Sequence, residues 1–197
     1  MGVVFDLGNV LIRWEPERAV AAGVGAEEAR AFMAGFDFFA WNHPQDAGRP
    51  FAEAEAEAVD IHPQWREHLL AYRPNFAASL AGEIRGTVQI LRELHSRGVP
   101  VFALTNWSAE TFHHAEETYD WLGLFDAIVV SGREGIAKPD REIFELVVRR
   151  SGHRSQDLLF VDDSDANVAG ARAAGLQAIA FTSPQALRAD LVELGLL

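Results

Sequence analysis

The chain contains no cysteine. Disulfides, thiol nucleophiles and cysteine-bound zinc are therefore excluded. Basic residues are scarce: 17 Lys and Arg stand against 29 Asp and Glu, a net charge of −12. So acidic a surface repels phosphate backbones and anionic lipid, so neither nucleic acid nor a membrane is an expected partner. A small anionic substrate remains open to it, because the local charge of a cleft can differ from the total. Long apolar runs are missing as well, and none approaches the ~20 residues of a membrane span. The first run, MGVVFDLGNVLI, is broken by Asp6 and has no basic leader. It does not read as a signal peptide, and a cytoplasmic setting is the expectation.

Material for a core is ample. Apolar residues fill 49% of the 197 positions, which suits one α/β domain with a smaller embedded element, or two small domains. Short apolar runs recur, and each ends in polar loop residues. Val3-Val4-Phe5 leads into Asp6 and Gly8, 100–104 into Thr105-Asn106, and 127–130 into Ser131-Gly132. The stretch 158–161 leads into Asp162-Asp163, and 177–181 into Thr182. Helical patterns lie between them at 87–94, 140–150 and 167–174, stopping at Gly98, Gly152 and Gly175, with a last one at 184–194. Buried strands alternating with helices predict an α/β fold: a Rossmann-like parallel sheet with helices on both faces. Ligands of such sheets sit at the carboxyl ends of the strands. Asp6, Thr105, Asn106, Asp162 and Asp163 all fall on that edge.

The segment 14–83 has no convincing strand. Helices are expected near 16–22, 26–36, 51–59, 64–71 and 74–80. The alternation Ala52-Glu53-Ala54-Glu55-Ala56-Glu57-Ala58 mimics a strand, but Ala and Glu are strong helix formers, so helix wins. The segment reads as a helical cap inserted into a core formed by 1–13 and 84–197.

Each polar cluster has an ordinary reading and a chemical one. Asp6 is a turn-capping residue, or a carboxylate nucleophile or metal ligand. Thr105 and Asn106 are loop residues, or binders of phosphate oxygens. Lys138, ahead of a helix begun by Pro139, is a solvated cation, or the charge that lets a carboxylate and a phosphate approach each other. The adjacent pair Asp162-Asp163 is harder to explain blandly. Two carboxylates at the end of a buried strand are costly without a cation, and with no His or Cys beside them a hard ion such as Mg²⁺ is indicated. Asp165 and Asn167 follow within one turn and are placed to support the pair by hydrogen bonds.

Together the stretches FDLGNVL (5–11), LTN (104–106), GIAKPD (135–140) and VDDSDANVAGARAAG (161–175) resemble, in order and spacing, the four motifs of the haloacid dehalogenase-like superfamily. Within it they are closest to bacterial α-D-glucose-1-phosphate phosphatases and the phosphatase domain of soluble epoxide hydrolases. The resemblance implies a Mg²⁺-dependent phosphatase that acts on a small phosphorylated metabolite through an aspartyl-phosphate intermediate. It implies Asp6 as nucleophile and metal ligand, with the Gly8 carbonyl and Asp163 as further ligands. Thr105, Asn106 and Lys138 would meet the phosphate, Lys138 also acting in catalysis, while Asp162 and Asn167 would support the site. Substrate choice would rest on the cap, with Trp14, Phe36, Phe38, Phe39, Trp41, His43 and Arg49 as candidates; most of those aromatics are expected in a cap core.

One departure stands out. Most phosphatases of the superfamily carry an Asp two residues after the nucleophile, as general acid and base; here that position is Gly8. The closest subgroup shares the departure. The missing acid removes a contribution of roughly 10²–10⁴-fold, so good leaving groups should be preferred unless the cap supplies a donor, His43 being the first candidate. Gly8 also keeps two rivals in view. A 2-haloacid dehalogenase would use the same Asp6 without metal, though such enzymes usually carry an aromatic at this position and lack the paired acids. A catalytically silent binding module would keep the fold and have lost the acid.

Overall fold

The computed structural model describes residues 1–197. Its centre is a five-stranded sheet in which every neighbouring pair is parallel. The strands of the chain are β1 Gly2–Phe5, β2 Ile12–Trp14, β3 Leu80–Glu83, β4 Val101–Thr105, β5 Ala127–Val130, β6 Leu158–Asp162 and β7 Gln177–Ala180. The sheet runs β5-β4-β1-β6-β7. The chain thus builds outward on one side of β1 and then returns to build on the other. Such a reversal opens a crevice at the carboxyl ends of the strands beside it, and β1 delivers Asp6 there.

Burial on both sides explains why the three central strands, β1, β4 and β6, are apolar up to their last residues. Val3 and Phe5 of β1 join Val101, Ala103, Leu159 and Val161 in the larger core cluster. That layer is covered by Val88 and Leu91 of the helix Arg85–Ser96 and by Leu187 of the helix Pro184–Glu193. Val4, Phe102, Leu104 and Phe160 face the other way, against Phe144 and Val147 of the helix Arg141–Ser151 and Val168 of the helix Asp165–Ala173.

Between β2 and β3 the chain is almost wholly helical: Pro16–Val24, Ala26–Gly35, Phe38–Asp46, Phe51–Ile61 and Arg66–Tyr72. The Ala/Glu alternation does form a helix, burying Phe51, Ala54, Glu55 and Ala58 at the i, i+3, i+4, i+7 spacing of one helical face. Three expectations need correction. The segment is not free of strands, because β2 and β3 pair as an antiparallel ribbon, Ile12 opposite Glu83 and Trp14 opposite Leu80. Leu80-Ala81-Gly82-Glu83 has little strand preference of its own; its partner across the ribbon supplies the pairing. The expected helix over 74–80 is a 3-10 turn, Phe76–Ser79, that runs straight into β3. The helix Phe38–Asp46 was not anticipated, because it is short and contains Pro44, a residue that breaks helical patterns. Asp37 starts it, its carboxylate accepting the Ala40 N–H at 3.1 Å.

This segment has an aromatic core of its own. Phe38 is buried against Tyr72, ring centroids 4.8 Å apart, and against Trp41 at 5.6 Å, whereas its neighbour Phe39 is 61% exposed. Phe38→Ala is therefore expected to cost about 3–5 kcal/mol in denaturant unfolding, while Phe39→Ala should stay within about 0.5 kcal/mol. Equal effects would show that the helix does not sit in this register.

Candidate active site

The edge of the sheet is organised by one buried cation. Lys138 is 1% exposed and lies on the loop between the short helix Ser131–Glu134 and the helix Arg141–Ser151. Its Nζ lies 2.9 Å from Asp6 Oδ1 and donates to Asp162 Oδ2 at 2.7 Å and to the Leu104 carbonyl at 3.0 Å. An ammonium has three N–H groups, and all three are engaged. The main chain of Lys138 is held just as firmly. The Asn106 side chain accepts the Lys138 N–H at 2.8 Å and donates to the Lys138 carbonyl at 2.9 Å.

These bonds show what the two side chains hold within the chain. Lys138 keeps no donor for a phosphate in this arrangement; it neutralises carboxylates. The Asn106 amide is used at both ends to hold the Lys138 loop. What Asn106 leaves free is its backbone N–H, which makes no bond within the chain. The Thr105 side chain beside it is buried at the end of β4.

The carboxylates divide by their hydrogen bonds. Asp162 is fully buried. Its Oδ1 accepts the Ser164 N–H at 2.8 Å and Asn167 Nδ2 at 3.0 Å, while Oδ2 takes Lys138. It is saturated, with Asn167 in a supporting position. Asp6 is fixed by its own N–H bonding to the Val161 carbonyl at 2.9 Å. Its Oδ1 takes the Leu7 N–H at 2.8 Å and Lys138, and Oδ2 is left over. Asp163 faces outward.

Ligand oxygens of Asp6, Asp162 and Asp163 all lie within 4.8 Å of one another. Three carboxylates against one ammonium leave negative charge in excess. Burial pushes the Asp6 carboxyl up to about 7; Lys138 pulls it down, and Asp162 and Asp163 push it further up. Burial, then Asp162, raises Asp163 in the same way. Burial works against the Lys138 ammonium too, but Asp6 and Asp162 outweigh it and hold its pKa above the usual lysine range. A buried group of oxygens short of positive charge fits Mg²⁺. The Gly8 carbonyl makes no backbone hydrogen bond and is a further oxygen donor of the right kind.

A small cavity of about 50 Å³ adjoins this cluster, with Gly8 and Asn106 on the core side. The helical segment supplies Trp14, Asn42, Asp46 and Tyr72 to its wall. Among the residues proposed for substrate choice, only Trp14 reaches it. Phe38 and Trp41 belong to the aromatic core, Phe36 stacks on Phe32, Phe39 and His43 face solvent, and Arg49 pairs with Glu57. Asn42, Asp46 and Tyr72 were missed. Asn42 and Asp46 sit on the helix that Pro44 disguised. Burial pushes Asp46 up to about 7, against the Ser108 backbone, Asn42 and Lys138, with Asp6 adding to the rise.

A doubly wound parallel sheet with Asp6 just after β1, a buried Lys138 and paired acids at the end of β6 defines a class. The haloacid dehalogenase-like hydrolase family model matches residues 1–175, and the chain belongs to that family of hydrolases. The sesquiterpene phosphatase AstK of Aspergillus oryzae is 29% identical over 97% of this chain and 94% of its own length. A phosphoglycolate phosphatase of Cereibacter sphaeroides is 28% identical over 92% of this chain and 84% of its own. Among solved structures, the family enzyme BT-2542 of Bacteroides thetaiotaomicron, in complex with magnesium and inorganic phosphate, superposes with a TM-score of 0.69. It is 19% identical over 92% of this chain and 94% of that one. No helix of the chain is long and apolar enough to cross a membrane.

Replacing Lys138 with Met would leave Asp6 and Asp162 buried without their cation. Breaking such a pair from one side costs about 3–5 kcal/mol. Lys138→Met should lose that much stability at neutral pH in chemical denaturation, and an unchanged midpoint would contradict the central place given to this ammonium.

Proposed function

We propose that this chain is a magnesium-dependent phosphatase that cleaves a small phosphorylated metabolite through an aspartyl-phosphate intermediate. The observation that carries the reading is the division of labour around Lys138. One Asp6 oxygen is pinned by Lys138 and the Leu7 N–H while the other is left free as nucleophile. Asp6 Oδ2 attacks phosphorus, and the bond to the leaving oxygen breaks. Water then attacks the phosphorus of the acyl phosphate, releasing inorganic phosphate and restoring Asp6. The Thr105 hydroxyl and the Asn106 N–H would bind phosphate oxygens. Asp6, the Gly8 carbonyl and Asp163 would hold the ion, with Asp162 and Asn167 behind them. When bound, Mg²⁺ supplies the positive charge that lets carboxylate and phosphate meet. Phosphatases among the relatives support the reading. A haloacid dehalogenase needs no such ion, and the acidic excess would then serve no purpose.

An aryl phosphate should be hydrolysed with Mg²⁺ and not with EDTA. Asp6→Asn, nearly isosteric but a poor nucleophile, should fall below about 10⁻³ of the wild-type rate with its fold intact. Chloride release from a 2-chloro acid in EDTA, or substantial turnover by Asp6→Asn, would overturn the assignment.

The helical segment 14–83 acts as a cap on a core of 1–13 and 84–197. Glu110 of the core holds it, accepting the Phe51 N–H at 2.8 Å and pairing with Arg73 at 3.3 Å. The 50 Å³ beneath admits only a few water-sized groups, so the cap must lift to exchange substrate. Its attachments, near 12–15 and 82–86, include the β2–β3 ribbon. A metal-fluoride phosphate analogue with Mg²⁺ should slow hydrogen exchange at both attachments, and unchanged exchange would remove the case for lid motion.

A further inference from the structure

We propose that Asp46 is the acid–base residue of this site, giving a proton to the leaving oxygen and later taking one from the attacking water. The inference rests on the phosphatase reading and supplies the group that Gly8 removes. A Cβ built at Gly8 would meet no atom within 4 Å. The space where relatives of the superfamily carry an acid therefore opens into the cavity. Across it, Asp46 is the sole charged side chain on the wall.

Three features single Asp46 out from a structural carboxylate. The cation that eases its charge, Lys138, is bound to Asp6 and Asp162 instead. Asn42 Nδ2 donates to Asp46 Oδ2 at 3.0 Å and the Ser108 backbone also meets the carboxyl, which fixes its orientation against the cavity. Its backbone is tied to the core as well. The Asp46 carbonyl accepts the Ser131 hydroxyl, and that hydroxyl accepts the Trp107 N–H at 2.9 Å. Gly48, two residues after Asp46, packs on the same core loop, where a Cβ would lie 3.3 Å from the Gly132 carbonyl oxygen.

The surroundings also wait for a ligand. Tyr72 Oη and Asn42 Oδ1 are buried without hydrogen-bond partners on the same wall. Orphaned polar atoms of this kind cost stability unless something meets them. Tyr72, Asp6 and Lys138 are the titratable groups that act on Asp46. Burial raises its carboxyl to about 7, near where one group serves as both acid and base at neutral pH. His43, on the preceding turn of the same helix, faces solvent and is not on the wall.

The steps balance. As Asp6 Oδ2 bonds to phosphorus, the bond to the leaving oxygen breaks and that oxygen takes the Asp46 proton, departing as a neutral alcohol. The Asp46 carboxylate then takes a proton from water as that water attacks phosphorus. Phosphate leaves, and both carboxyl groups return to their starting states.

The test is single-turnover hydrolysis of phosphate monoesters of graded leaving-group pKa at saturating Mg²⁺. The wild type should depend weakly on leaving group. Asp46→Asn should lose about 10²-fold or more on simple alkyl phosphates and less than about tenfold on 4-nitrophenyl phosphate, and His43→Gln should match the wild type. Gly8→Asp in the Asp46→Asn background should recover alkyl activity. Equal losses across the series, or no loss, would overturn the role of Asp46 while leaving the phosphatase reading intact. A wild type inactive on every ester with Mg²⁺ would overturn that reading and this one with it. Should Asp46→Asn melt below the assay temperature, Gly8→Asp alone decides. A gain under about threefold on alkyl phosphates is expected where an acid is already present, and a gain of tenfold or more would overturn the proposal.

Discussion

The Lys138 ammonium is the point on which the rest of the site depends. It stands between Asp6, Asp162 and the Leu104 carbonyl, so one cation joins the ends of β1, β4 and β6, neighbours at the centre of the sheet. Without it the carboxylates would repel each other in a region where water cannot screen them. Its own position follows from Asn106, which grips the Lys138 main chain at both its N–H and its carbonyl. The loop residue after β4 thus positions the cation that positions Asp6 after β1. That chain of dependence is why these side chains, far apart in sequence, act as one group.

The same cation leaves the charge balance unfinished. It satisfies one oxygen of Asp6 and one of Asp162, and Asn167 and the Ser164 N–H complete Asp162. The second Asp6 oxygen receives nothing comparable, and Asp163, at the surface beside it, adds its charge to the cluster. A protein that wanted only stability would replace Asp6, since an incompletely compensated buried carboxylate destabilises a fold. Keeping it makes sense where a divalent cation and a phosphate complete the arrangement, and the raised pKa values of Asp6 and Asp163 are the mark of that incompleteness.

Much of this was legible in the sequence, and the reason is periodicity. β1, β4 and β6 are apolar runs buried on both faces, so their ends are sharp, and Asp6, Thr105 and Asp162 lie at or next to those ends. The helical segment was read less well. Its β2–β3 ribbon depends on pairing between residues some seventy positions apart, which no local pattern records. The helix Phe38–Asp46 is aromatic on several sides and holds Pro44, so neither the 3.6-residue period nor propensity announces it. Aromatic residues there were visible, but which of them face the cavity is set by packing: Phe38 turns into the core and Phe39, one residue on, into solvent. Hydrogen bonding was equally hidden. Nothing in the letters told that the Asn106 amide serves Lys138 and that only its backbone N–H is free.

The location of Asp46 has a consequence for how the two halves of the molecule work together. In a first-motif acid, nucleophile and proton donor share one loop and are always in register. Here the donor belongs to the inserted helical segment, and its register with Asp6 is set by docking: the Ser131 hydroxyl on the Asp46 carbonyl, and Glu110 on the Phe51 N–H and Arg73. On the proposed lid motion, lifting the segment would take the acid from Asp6 and flood the cavity, and docking would bring the acid as water leaves. The missing side chain at Gly8 thus ties protonation of the leaving group to closure, and an acyl phosphate exposed by early opening would meet water without Asp46 as its base.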